Sequence, residues 1–209
     1  MTDPGRDPAA PTAEGGDVGE TAPRRLRADA QRNRQRLLDA AVRAFSQGEP
    51  GVTLDSVARQ AGVGIGTLYR HFPTREALVE AAYRNELAGL CDAAPQLLEQ
   101  LPAAAALRAW MDRFIDYLAA KRGMAGALRL VIESGVNPYA ESRDRLHAAL
   151  DLLLAAGVAA GTVRADVPSA DVLAGLSGVS LVAGEPARRE QAGRLLDLLM
   201  DGLRHRVEG

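Results

Sequence analysis

The stretch TLDSVARQAGVGIGTLYRHF, residues 53–72, decides the reading of this chain. Thr53 stands where a helix begins, with a side chain that can accept a backbone N–H at the N-cap. Leu54, Val57, Ala58 and Ala61 then recur at spacings of three and four, one apolar stripe on a short helix. Gly62 ends it, because glycine enters a left-handed turn at little steric cost. After only Gly62, Val63 and Gly64 the helical pattern resumes with Ile65, Leu68, Tyr69 and Phe72, and Pro73 stops it. Two short helices joined by a glycine-bearing three-residue turn form a helix-turn-helix, whose second helix fits the major groove of a duplex.

Outward from that motif the pattern stays helical. Upstream, Leu37, Leu38, Ala41, Val42 and Phe45 place a helix from about Asp29 to Gly48, with Pro50 and Gly51 beyond. Downstream, Thr74 caps a longer helix that runs from Arg75 through Leu78, Val79, Ala82, Leu87 and Leu90. Charge divides the chain in the same places. Residues 24–84 carry eleven arginines and six acids, a net +5, between residues 1–23 at −4 and residues 85–209 at −3. The densest basic run is Arg24, Arg25, Arg27, Arg32, Arg34 and Arg36. A basic block between acidic ones suits a module that binds a polyanion, and a solvated arginine-rich helix face is the plainer alternative. Residues 1–23 are rich in Pro, Gly, Asp, Glu and Thr with almost no large apolar side chain, which predicts a disordered tail. The expected units are therefore this tail, a DNA-binding domain at residues 24–84 and a second helical domain at residues 85–209.

Composition agrees with an all-α fold. Apolar residues make up 47% and aromatics only 4% of the 209 residues, so aliphatic side chains must fill the core. Beyond Pro95, helical segments are expected near residues 102–122, 124–134, 139–160, 169–182 and 186–207, separated by Gly123, Asn137–Pro138, Gly161, Pro168 and Gly184–Pro186. One cysteine, Cys91, excludes an internal disulfide framework and a cysteine-rich zinc site. His71, His147 and His205 lack metal-protease spacing, and Gly62, Gly64 and Gly66 follow a helix pattern where a dinucleotide loop needs a strand. No catalytic constellation and no cofactor is expected. The start of the chain lacks the basic and apolar regions of a signal peptide, and the longest apolar stretch, residues 152–163, is shorter than the roughly 20 residues that cross a bilayer. A cytoplasmic protein without a membrane partner follows.

The motif, together with Ala40, Ala41 and Phe45 before it and Thr74, Arg75 and Leu78 after it, closely resembles the DNA-binding region of TetR-family transcriptional regulators over about residues 32–80. Arg75 departs from the lysine usual in the family, and both cations can meet a phosphate. The resemblance implies a three-helix N-terminal helix-turn-helix domain followed by a helical ligand-binding and dimerisation domain. It implies that Ile65, Gly66, Thr67, Tyr69 and Arg70 face base edges or the adjoining backbone of double-stranded DNA. Gly66 would let the backbone approach, Thr67 and Tyr69 offer hydroxyls, and Arg70 can pair with guanine through two parallel hydrogen bonds. Thr53, His71, Thr74 and Arg75, at helix ends, suit phosphates. Packing is the alternative for Tyr69, and a hydrogen bond within the fold for His71. Arg24, Arg25 and Arg27 precede the expected helix, where a flexible arm could reach the minor groove; loose attraction to phosphates, or no role, is the alternative.

In the second domain Trp110, Phe114 and Tyr117 fall at i, i+4 and i+7 on one helix face, and half of the aromatics lie between Trp110 and Tyr139. The resemblance makes Trp110, Phe114, Tyr117, Leu130 and Tyr139, with His147 as a polar handle, the expected lining of a pocket for a small apolar or aromatic ligand; ordinary core packing is the alternative. It further implies a homodimer. The expected interface uses the last two long helices through Leu176, Val179, Leu195, Leu196, Leu199 and Leu203, with Gly175 and Gly178 allowing close approach, and such a dimer matches a pseudo-palindromic operator; closure of the subunit's own core by these faces is the alternative. The resulting expectation is a repressor released by a ligand. Beside it stand a regulator of the same shape without an effector, and a helical enzyme that merely carries the motif.

Overall fold

A computed structural model describes residues 21–46, 51–182 and 188–204. The Gly48 stop, the Gly184–Pro186 breaker, His205 and most of the expected tail lie outside these residues, as do the side chains of Arg24 and Arg25. Nine α-helices follow one another among the described residues: α1 Thr21–Ser46, α2 Leu54–Ala61, α3 Ile65–His71, α4 Arg75–Gln100, α5 Ala103–Gly123, α6 Ala125–Glu133, α7 Ser142–Ala159, α8 Ser169–Val182 and α9 Arg189–Leu203. The all-α expectation holds.

Four helices differ by three residues or more from the bounds that the sequence suggests, α9 among them, ending at Leu203 and not near residue 207. Helix α1 begins at Thr21, inside the expected tail and eight residues before Asp29. Its early residues are mostly Arg, Ala, Gln and Leu, all good helix formers, and Pro23 sits in the first turn, where its missing N–H has no partner to lose. Helix α4 passes through Pro95 and ends at Gln100. Proline removes one backbone hydrogen bond and crowds the preceding turn, at about 3 kcal/mol. Leu90, Ala93, Ala94 and Leu97 are buried on both sides of it, and that packing holds the helix together. Helix α7 starts at Ser142, three residues late, because Asn137 Oδ1 accepts the Tyr139 N–H at 3.0 Å and keeps the preceding segment in a turn.

Helices α1, α2 and α3 pack together, and α4 leads from this head into the rest of the fold, where it lies against α5, α6 and α7. Helices α8 and α9 pack on each other and on α5. One continuous apolar core runs from Leu37 and Leu38 in the head to Leu196 and Leu203 in α9. At the far end, the Arg164 N–H donates to the Leu203 carbonyl at 2.9 Å, pinning the α7–α8 connection to the end of α9. The head is also fastened directly. Ser46 Oγ donates to the Ala120 carbonyl of α5 at 3.4 Å, and the Ser46 backbone abuts Gly123 so closely that a Cβ there would lie 2.7 Å from the Ser46 Cα.

Candidate functional site

The helix-turn-helix is closed by local hydrogen bonds. Thr53 Oγ1 accepts the Ser56 N–H at 3.1 Å, and Ser56 Oγ accepts the Thr53 N–H at 3.2 Å, so two of the orphan donors at the start of α2 are satisfied reciprocally. Gly62 takes φ +63°, the left-handed conformation the sequence suggests, and the Val63 N–H reaches back to the Ala58 carbonyl at 3.0 Å. Helix α3 is anchored from behind by Leu68, fully buried, and by Phe72 at its C-cap. What remains of α3 points outward. Tyr69 is 51% exposed, Ile65 36%, and a Cβ built on Gly66 would meet nothing within 4 Å.

Arg70 is exposed and already oriented: its Nε donates to the Gly66 carbonyl at 3.2 Å and one terminal nitrogen to Thr67 Oγ1 at 3.1 Å. The guanidinium thus lies along the outer side of α3 with donors left over for a further acceptor. Thr74 caps α4 by accepting the Ala77 N–H at 3.1 Å, and His71 is half-buried with its ring 6.1 Å from that of Phe72. Arg75 sits over the Phe45 ring at 5.0 Å, and its Nε is buried without a hydrogen-bond partner. Two residues that the motif did not single out join the group. Arg34 lies over the Phe72 ring at 5.5 Å, and Arg36 approaches the turn, 3.8 Å from where a Gly62 Cβ would be. Both belong to the basic run, but periodicity alone gives no contact partner for them.

In the second domain the expected ring face is present and packed. Trp110, Phe114 and Tyr117 are buried, with ring centroids 5.6 Å and 6.2 Å apart along the series, and the Trp110 indole donates to the Leu90 carbonyl at 2.9 Å. Tyr139 joins them through Tyr83, edge to face at 5.2 Å. The sequence reading missed the polar centre of this cluster. The Tyr83 hydroxyl lies 2.7 Å from that of Tyr117 and 2.9 Å from Ser142 Oγ, and Lys121 Nζ rests 4.4 Å from the centre of the Tyr139 ring. Burial, then the hydrogen bond to Tyr83, pushes the Tyr117 phenol up, and burial pushes the Lys121 ammonium down. Tyr83 and Ser142 come from α4 and α7, so only the tertiary fold unites them.

Two expected lining residues stand apart. Leu130 is 39% exposed on the outer side of α6, and His147 Nδ1 is 3.0 Å from Ser169 Oγ, tying α7 to the start of α8. A cleft of about 230 Å³ between α4 and α5 reaches the cluster at Tyr117, with Asn85, Glu86, Arg113 and Asp116 at its sides.

The expected interface residues lie mostly inside the subunit. Leu176, Val179, Leu196 and Leu203 are buried within the subunit, because these stripes of α8 and α9 turn inward to close its own core. Leu195 and Leu199 are half-buried, and Leu199 lies against Gly175 of the same chain, 3.2 Å from where a Cβ would be. The outward apolar side chains on these helices are Leu181, 76% exposed, and Leu198, 66% exposed.

Among the described residues no helix is long and apolar enough to cross a membrane. Comparison with known families matches residues 37–82 to the tetR family of bacterial regulatory proteins. Residues 102–205 match the C-terminal domain of SbtR-like transcriptional regulators. Among solved structures, the TetR transcriptional regulator SCO0520 from Streptomyces coelicolor is 56% identical with a TM-score of 0.81, over 83% of this chain and 99% of that one. A TetR regulatory protein from Mycobacterium vanbaalenii is 37% identical with a TM-score of 0.71, over 86% and 99%. A curated relative, the uncharacterized HTH-type transcriptional regulator TtgW of Pseudomonas putida, is 44% identical over 59 residues, 28% of this chain. The chain spans less than half the length of the curated relatives it matches.

Proposed function

The chain belongs to the TetR family of bacterial regulatory proteins and is a helix-turn-helix transcriptional regulator, and on that premise we propose that it acts as a homodimeric repressor released from its operator by a small apolar or aromatic ligand. The observation that carries the DNA-binding part is the division of α3 into a buried side, Leu68 with Phe72 behind it, and an open side of Ile65, Gly66, Tyr69 and Arg70. On this reading these four and Thr67 meet the major groove, and Thr53, His71, Thr74 and Arg75 set the register against phosphates. Two such helices related by a two-fold axis address half-sites about 34 Å apart, hence a pseudo-palindromic operator.

Ligand control requires that the ligand bind the DNA-incompetent spacing of the two heads better than the competent one. The aromatic cluster between α4, α5 and α7 is the proposed seat, entered from the α4–α5 cleft beside Tyr117. By reciprocity, operator DNA then weakens ligand binding by the same factor. A second reading, a regulator of the same fold without a small-molecule effector, draws support from the tight closure of that cluster: the Tyr83, Trp110, Phe114 and Tyr117 rings are buried, and the Tyr83, Tyr117 and Ser142 hydroxyls satisfy each other.

Selection of bound duplexes from a random pool tests the DNA-binding part. It is expected to yield a pseudo-palindrome, and Arg70→Ala is expected to relax preference at one base pair per half-site, a loss of about 1 to 3 kcal/mol of discrimination. Recovery of no symmetric site, or an Arg70→Ala protein with unchanged preference, overturns the assignment of α3.

A further inference from the structure

Lys121 stands on α5 one turn beyond Tyr117, about 6 Å along the same helix face at 1.5 Å per residue. Its Nζ lies 4.4 Å from the centre of the Tyr139 ring and 5.9 Å from that of Tyr83. Among the described residues no carboxylate pairs with it and no oxygen accepts a hydrogen bond from it. The rings hold the cation by their faces, and its three N–H donors are left without an oxygen acceptor. The group is half-buried, and burial disfavours its charged form. Neighbouring cations are placed differently. Arg84 pairs with Glu80 at 2.9 Å, and Arg189 holds Asp116 at the side of the α4–α5 cleft, where Arg113 and Glu86 offset each other in charge.

We infer that Lys121 anchors a carboxylate, and that the ligand of this site is a small aromatic acid whose ring reaches Tyr117 while its carboxylate meets the Lys121 ammonium. The inference rests on the ligand-controlled reading given above and names the chemical class which that reading leaves open. Charge selects among the classes that an aromatic seat can take. A cationic ligand competes with Lys121 for the same ring faces and is repelled by it. A neutral ligand leaves the half-buried charge unbalanced. An anion supplies the missing acceptor and offsets that charge at once. The span agrees, because one turn of α5 separates the two side chains, and a ring that bears a carboxylate on a short arm bridges it. The same place couples the site to the head. Lys121 lies between Ala120 and Gly123, the α5 residues on which Ser46 of α1 is seated, so an anion held there acts next to the tie between the two domains.

The test offers the full chain two acids, phenylacetate and naphthylacetate, each beside the amide and the amine of the same carbon skeleton. Binding is read from the emission of Trp110, the chain's one tryptophan, whose ring centroid lies 5.6 Å from that of Phe114 in the cluster, and release from loss of the operator complex. The acids are expected to bind about 10- to 100-fold more tightly than the amides, the range of one hydrogen bond to a charged group, and the amines not to bind. Lys121→Met removes the charge from a side chain of similar length and is expected to bring acids and amides level, whereas Lys121→Arg is expected to keep the preference for acids. The comparison on the wild-type chain decides even where Lys121→Met does not fold. Amides that bind as tightly as the acids, or a folded Lys121→Met protein that still prefers acids, overturn the inference and leave ligand control standing. Acids that bind through Lys121 while the operator stays held uphold the anchor and overturn ligand release. If no member of either series binds, the inference falls and the aromatic cluster falls with it as the ligand seat.

Discussion

Glu86 shows how a single residue records the seam between the head and the second domain. It lies on α4 beside the cleft that reaches Tyr117, half-buried, and its carboxyl is pushed up first by burial and then by the negative charge of Asp39 on α1. A carboxyl held above its ordinary range binds its proton more tightly in the folded chain than in the unfolded one. Its effect on stability is therefore absent below the unfolded value, about 4.3 for glutamate, and appears as a loss while pH rises through the folded value. Glu86→Gln is expected to raise the melting temperature at pH 7 and to leave it unchanged below about pH 4. Melting curves of the two proteins at both pH values check this, and equal melting temperatures at pH 7 count against it. At this scale the sequence was uneven as a guide. Arg70, Tyr69 and Gly66 were legible because their places on a seven-residue helix follow from the turn at Gly62. The Tyr83, Tyr117 and Ser142 hydroxyl chain was not, since its members are 34 and 59 residues apart and no local pattern couples them.

At the scale of elements, periodicity located every described helix and erred where one helix had to pass a residue that usually ends helices. Pro95 reads as a boundary, and α4 runs through it because packing on both sides outweighs one missing hydrogen bond. That continuity matters, for α4 leads directly from the reading head to the aromatic cluster. The second tie between head and second domain, where the end of α1 meets the end of α5, depends on Gly123. A side chain there meets the Ser46 backbone, which cannot swing aside as a flexible side chain can. Gly123→Ala is expected to lose about 1 to 3 kcal/mol of stability by forcing α1 away from α5. Gly126→Ala, in the first turn of α6 where a Cβ meets nothing within 4 Å, is expected to be neutral or stabilising. Denaturant midpoints of the two variants decide the matter, and a Gly123→Ala protein as stable as the wild type shows that the Ser46 backbone gives way freely.

For the whole molecule, the side chains of α8 and α9 separate what holds one subunit together from what remains for another. The inward leucines that apolar spacing picks out are already covered by their own chain, so a stripe on a helix does not say which of two partners it faces. Leu181 and Leu198 are the large apolar groups left outside on these two helices, and a second copy packed on this surface would take them out of water. If dimerisation follows this surface, a charge at Leu198 must separate the subunits without disturbing either. Leu198→Asp is expected to sediment as a folded monomer with unchanged helicity. Leu199→Asp, which places the charge against Gly175 inside the subunit, is expected to lower the melting temperature instead. The operator reads the same difference. Two linked heads gain from the high effective concentration of the second once the first is bound, and a monomer forfeits that gain. Leu198→Asp is thus expected to bind one half-site as tightly as a single wild-type head does and to lose most of its affinity for the full site. A Leu198→Asp protein that remains a dimer and holds the full site would place the interface elsewhere on the surface.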